Sequence, residues 1–123
     1  MDHPIKIFNL NNSALQPIKA KYCASFLCRL RGLMFRRNLQ THEGLLLVEK
    51  RDSRVDASIH MLFMLTDLAV VWINANLTVV DVILARKWRP AYFPAQPARY
   101  TLELHPDRLA DFRRGDQIQM ENA

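Results

Sequence analysis

The sequence predicts a mainly β fold, either a single compact antiparallel barrel or a jelly-roll-like sandwich, with one or two short helices. Three observations predict it. Short apolar runs, alternating or continuous, recur along the chain between Asn, Asp and Pro turn signals. Only two stretches carry a helical signature. Half of the 123 residues are hydrophobic, which suffices for one core at this length, so residues 1–123 are expected to form one domain.

The elements follow in chain order. Ile5-Lys6-Ile7-Phe8 and Pro17 to Tyr22 alternate apolar and polar and read as two strands around the turn-forming Asn11-Asn12-Ser13. The period then changes. Phe26, Leu27, Leu30, Leu33 and Met34 recur at helical spacing, which predicts an amphipathic helix over Ala24 to Met34 with Ser25 at its start. Gly32 disfavours the helix and marks either its end or a close backbone approach. Gly44 to Val48 reads as a buried strand, Lys50 to Asp56 as a charged loop, and Ala57 to Met64 as a further strand. Leu68 to Ile73 is apolar on both faces, as a central strand requires, and Thr78 to Leu84 returns as a hairpin across Asn74-Ala75-Asn76. Three prolines between Arg86 and Ala98 exclude a regular helix or central strand there. Tyr100 to Leu104 alternates as a strand, and Pro106 opens a short helix ending near Arg114 with Gly115 as its stop. Gln117 to Met120 is the last strand.

Composition bounds function. Seventeen basic residues against 12 acidic give a formal net charge of +5, and Arg dominates Lys. Arginine forks suit phosphate or carboxylate groups, so an anionic partner, nucleic acid among them, is one class to weigh. The longest apolar run, Leu68 to Ile73, is far too short to span a membrane, and Met1-Asp2-His3-Pro4 carries no leader-like apolar segment. A cytoplasmic protein with no membrane partner is expected, with Cys23 and Cys28, its two cysteines, as reduced thiols.

Several chemistries lack their residues. Three glycines, Gly32, Gly44 and Gly115, cannot write a phosphate-binding loop or a dinucleotide fingerprint. His3, His42, His60 and His105 are scattered and the cysteine spacing is not that of a zinc site, so no metal and no cofactor is expected. Ser58 and His60 share a strand face, but no third residue completes a triad. Arg99 and Glu103 share another face and are expected to form an ion pair. What remains is a basic-aromatic loop. Arg86, Trp88, Arg89 and Tyr92 interleave cations with rings that could stack on a sugar or base.

Some segments look familiar. Arg31-Gly32-Leu33-Met34-Phe35-Arg36 resembles the "rGLMfR" hallmark of the domain-of-unknown-function 192 family. Glu43 to Val48 is similar to its "eGMLFvF" strand, His60 to Asn74 to its "WMKNTxIPLDiiFID" block, and Thr78-Val79-Val80 to its "g.Vv" strand. Ala98 to Leu104 with Gly115-Asp116 resembles its "a.yvLEl…GD" end. These blocks cover about residues 18 to 120. The resemblance implies a mainly β domain of jelly-roll or barrel type, and no activity. The chain departs from the pattern in the central block. His60 stands at the family's Trp, Leu62-Phe63 at its Lys-Asn, Asp67 at its Pro and Ala69 at its Asp.

The function expected from these residues is a noncatalytic module binding an anionic or carbohydrate ligand through the 86–98 loop. Its ligand-binding candidates are Arg31, Arg86, Trp88, Arg89, Tyr92 and Arg99. The alternatives are an enzyme around His60 and Glu103, aided by Arg31, and a protein-interaction role. A deep polar pocket at His60 would favour the enzyme, and an exposed Trp88-Tyr92 platform would favour binding.

Overall fold

A computed structural model describes residues 3–123. The first two alternating runs form strands β1 (Pro4–Asn9) and β2 (Ile18–Cys23), paired antiparallel with Ile7 opposite Ile18. A short helix, α1 (Phe26–Arg31), follows. Then come β3 (Glu43–Ser53), β4 (Leu68–Ile73), β5 (Val79–Ala85), β6 (Ala98–Leu104) and β7 (Ile118–Asn122), with a 3-10 turn at Pro106–Asp111. The mainly β class with two short helices is therefore as the sequence predicts.

The seven strands make one mixed sheet in the order β5-β4-β6-β3-β2-β1-β7. It is mixed because β2 and β3 run parallel, Lys19 beside Glu43 through Cys23 beside Leu47. Parallel neighbours need a crossover, and α1 lies in it. β4 is paired on both sides and all six of its residues are buried, which is what its continuous apolar run requires. The sheet is not closed. It curls until the two edge strands meet near one end, where Thr78 and Gln117 form an isolated bridge and the Ile118 amide donates to the Leu77 carbonyl at 2.8 Å. Of the two expected shapes, a compact sandwich fits.

Alternation sorts the core onto two faces. Ile7, Ile18, Leu46, Val71, Leu102 and Leu104 pack on one, closed over by Phe112 and Ile118. Leu45, Leu47, Val70 and Trp72 pack on the other, where Leu33, Ile59, Met61 and Met64 cover them. This second face carries the candidate site.

Four local expectations need correction. Ala57 to Met64 is not a strand, and only Ile59 bridges, to Tyr92. The Ala57 carbonyl accepts from Trp72 Nε1 at 2.8 Å and Thr101 Oγ1 at 3.3 Å, a turn joins the Met64 amide to the Met61 carbonyl, and Phe63 is left-handed at φ 61°. Ala57, Ile59, Met61 and Met64 are buried as a lid on the sheet, whereas Leu62 and Phe63 are exposed. The helix spans Phe26–Arg31 and not Ala24 to Met34, because Gly32 at φ 50° leaves helical space. The charged loop begins later than expected, since β3 runs on to Ser53, which pairs with Ala98 past an irregularity. The C-terminal helical turn ends at Asp111, and Gly115 at φ 92° instead turns the chain toward β7.

The cysteines also differ from expectation. Cys23 and Cys28 are joined as a disulfide. Cys23 is fully buried at the end of β2, so the bond ties α1 to the sheet.

Candidate functional site

Helix α1 lies over the second face of the sheet without burying any of its own residues. What it covers is a cavity of about 590 Å³. That volume is in the range of small-molecule sites. Leu33, Met34, Leu47, Ile59 and Met64 give it apolar walls, Arg29, Arg31 and Glu49 line it from α1 and β3, and Thr101 and Glu103 line it from β6.

Glu103 is the unusual group. β6 is an interior strand, and Glu103 sits in register with Val70 on one side and Leu45 on the other. Strand alternation sends it, like Thr101, to the cavity face. It is 4% exposed. Among the described residues its carboxyl has no hydrogen-bond or ion-pair partner. Burial with no compensating charge pushes its pKa up to about 7. The Arg99–Glu103 pair expected from the sequence is absent among the described residues. Arg99 Nε instead donates to the Glu49 carbonyl at 3.0 Å, and its guanidinium lies 5.4 Å from the Tyr100 ring centre.

Gly32 explains how the helix can sit so near this acid. A Cβ at Gly32 would lie 3.3 Å from Glu103 Oε1, and the φ of 50° also favours glycine. The Gly32 amide donates to the Cys28 carbonyl at 2.8 Å, closing α1 directly over the carboxyl. Glu49 is the second perturbed acid. Burial raises its pKa, against the pull of Arg29, whose Nε lies 3.5 Å from Glu49 Oε2.

The cavity gathers the enzyme candidates and leaves the loop candidates outside it. Arg31, Ser58, His60 and Glu103 all line the cavity. His60 and Ser58 are nevertheless engaged. His60 Nε2 lies 3.1 Å from the Leu30 carbonyl, and its Nδ1 accepts from the Leu62 amide at 3.2 Å, so the ring straps α1 to the lid segment. The Ser58 hydroxyl donates to the Val55 carbonyl at 2.6 Å. Arg31 is exposed at the mouth, and no acidic partner is found for it among the described residues. Arg86, Trp88, Arg89, Tyr92 and Arg99 lie outside the lining. Tyr92 is half-buried, packs on the core and accepts from the Arg86 amide through its hydroxyl at 2.9 Å. Arg86 pairs with Asp67 at 3.7 Å. Trp88 is exposed and stands edge-on to Phe63, with ring centres 5.3 Å apart. Among the described residues, no three of His, Cys, Asp and Glu are grouped as metal ligands.

Sequence reasoning missed the apolar walls, Thr101 and Glu49. The signal for Thr101 was present, since it shares a strand face with Glu103. The walls carried none, because Leu33, Ile59 and Met64 read as ordinary core.

The sequence pattern of the domain-of-unknown-function 192 family, described as Uncharacterized ACR, matches residues 7–120. The chain belongs to this family. Its relatives include UPF0127 proteins of Thermococcus kodakarensis, 42% identical over 69% of this chain and 52% of that protein, and of Thermococcus gammatolerans, 39% identical over 79% and 63%. A Pyrococcus furiosus UPF0127 protein is 36% identical over 70% of this chain and 71% of its own length. The chain spans between about half and two thirds of the two Thermococcus relatives. Two crystal structures share the fold at a TM-score of 0.80. One is a Novosphingobium aromaticivorans protein of unknown function, 19% identical, covering 96% of this chain and 84% of that one. The other, from Sinorhizobium meliloti 1021 and described as a "putative transcription regulator", is 16% identical and covers 98% and 94%. Two family-like segments, 31–36 and 98–104, meet at the cavity through Gly32 and Glu103.

Proposed function

We propose that this protein binds a small hydroxyl-bearing organic ligand in the cavity beneath α1, with Glu103 as its polar anchor. The observation that carries the proposal is the buried, partnerless carboxyl of Glu103 on the cavity wall. No fully buried side-chain oxygen or nitrogen among the described residues lacks a partner, so the Glu103 oxygens keep access to the cavity and its occupant must supply their hydrogen bonds. A ligand hydroxyl supplies the missing hydrogen bond, while the aliphatic walls take the ligand's carbon skeleton.

The same acid argues within the expected ligand class. An anion against Glu103 meets either a like charge or a desolvated acid, so a neutral hydroxyl-bearing ligand, such as a carbohydrate, suits the interior better. Arg31 at the mouth is free to hold an acidic substituent that remains outside. Binding is also favoured over nucleophilic catalysis. The Ser58 hydroxyl and both His60 ring nitrogens are already hydrogen-bonded, leaving no nucleophile–base pair. One enzyme reading has its own support: a carboxyl with a pKa of about 7 inside a cavity is suited to general acid–base work.

The test is a thermal-shift screen with neutral sugars and polyols, carboxylates and amines, on the wild type and Glu103→Leu. The expected result is a stabilising hit among hydroxyl-bearing compounds that Glu103→Leu abolishes while staying folded. Hits confined to carboxylates, or hits indifferent to Glu103→Leu, would overturn the reading. Turnover of a hit by the wild type would convert binding into catalysis.

A further inference from the structure

An apolar face adjoins the mouth of the cavity and is not explained by ligand binding inside it. Phe26 and Leu27 of α1 are 68% and 73% exposed, and Leu30, Phe35, Phe63 and Trp88 are about half exposed. These residues come from separate segments that are tied together. The Phe35 amide donates to the Phe63 carbonyl at 3.1 Å, their rings lie 5.6 Å apart, and the Phe63 ring meets Trp88 at 5.3 Å. His60 joins the Phe63 segment to Leu30.

Two features set this face apart from scattered surface hydrophobics. Among the described residues, Phe35, Phe63 and Trp88 are three of the four non-glycine residues with positive φ, at 65°, 61° and 69°. Bulky residues seldom adopt that backbone, and the energy spent here holds rings out toward solvent rather than into the core. Phe63, moreover, stands where the family pattern resembled above has a polar residue.

Charge identifies the occupant. Arg31, Arg37, Lys87 and Arg89 lie within two residues of Leu30, Phe35 or Trp88 along the chain, and among the described residues none has an acidic partner. The other nearby cations are paired, Arg29 with Glu49, Arg36 with Glu43 and Arg86 with Asp67. Two copies meeting through this face would press the free cations together. An anionic lipid surface takes both components at once, rings and aliphatic side chains at the acyl boundary and cations at the headgroups. We propose that this face adsorbs to anionic lipid bilayers. Such contact needs no spanning helix, and no helix among the described residues is long and apolar enough to cross a membrane. A missing span has no bearing on adsorption from one side.

The test is co-sedimentation of the whole chain with vesicles of phosphatidylcholine alone and of phosphatidylcholine mixed with phosphatidylglycerol, at low and high salt. The wild type should bind the mixed vesicles at low salt and leave the neutral ones in solution. Phe63→Asn with Trp88→Asn keeps residues that tolerate left-handed backbone, and should cut binding by more than about tenfold with an unchanged circular dichroism spectrum. Arg37→Glu with Arg89→Glu should do the same through charge. Failure of the wild type to bind anionic vesicles would overturn the proposal, as would undiminished binding by either folded double variant. So would a dimer in solution that the asparagine pair dissociates, or capture of an acidic peptide in place of the vesicles.

Discussion

Glu103 is the one acid on the cavity wall with a pKa raised to about 7, and its titration has a definite sign. Burial holds its folded pKa at about 7, above the 4.5 of a solvent-exposed glutamate, which stands for the unfolded chain. The folded state therefore holds the proton more tightly. The contribution is fully favourable below about pH 4.5 and is lost as pH rises through 7. Urea unfolding of the ligand-free protein should show stability falling across that window by roughly 3 kcal/mol at most. Glu103→Gln keeps the shape without the charge and should flatten this part of the profile. A wild-type profile already flat between those limits would place Glu103 in an ordinary aqueous setting. Gly32 gives a second residue-scale prediction. Gly32→Ala meets both the strained backbone and the carboxyl 3.3 Å away, so it should cost about 1–3 kcal/mol in a denaturant titration. The sequence offered Gly32 as a helix end or a close approach, and it is both. It could not show that Glu103 lies on the other side, because strand alternation gives the face of a residue and not what covers it.

At the scale of elements, α1 is held more by specific ties than by burial. It has no buried residue, and its anchors are the Cys23–Cys28 bond, the His60 contact to Leu30 and the Arg29 contacts to the carbonyls of Ala24 and Val48, both 3.2 Å. Helical spacing in the sequence predicted an amphipathic helix packed by its apolar stripe. The spacing is real, yet Phe26, Leu27 and Leu30 face outward or toward the cavity, since Gly32 ends the helix before it can dock along its length. Reduction of the disulfide, or Cys28→Ser, should release α1 locally. Hydrogen exchange at residues 26–33 should accelerate while β4 and β6 stay protected, with a global loss of roughly 2 kcal/mol or less. Uniform acceleration across the sheet would mean that the bond supports the whole fold. The strands were more legible than the helix. β4 and β6 announce themselves by composition and alternation, whereas the lid at 57–64 has strand-like composition and is bent away by hydrogen bonds from Trp72 and Thr101, residues distant in sequence.

For the whole molecule, the sheet divides its labour. One face is closed by its own strands and the C-terminal turn, and the other keeps a cavity that α1 and the lid cover incompletely. The parallel pairing of β2 with β3 creates this arrangement, because the crossover that parallel strands demand is the segment carrying α1, Gly32 and the exposed aromatic Phe35. Chain order alone could not reveal it. Pairing partners of short strands are decided by packing, so an antiparallel expectation fitted the sequence equally well. The basic-aromatic loop lies outside the cavity, and its Trp88 belongs to the apolar face at the cavity's edge. Ligand binding at Glu103 can be seen in a crystallographic fragment soak with neutral polyhydroxyl, carboxylate and amine compounds. A hydroxyl-bearing fragment should lie beneath α1 with an oxygen within hydrogen-bond distance of Glu103. Fragments that bind only elsewhere, or that occupy the cavity without contacting Glu103, would contradict it.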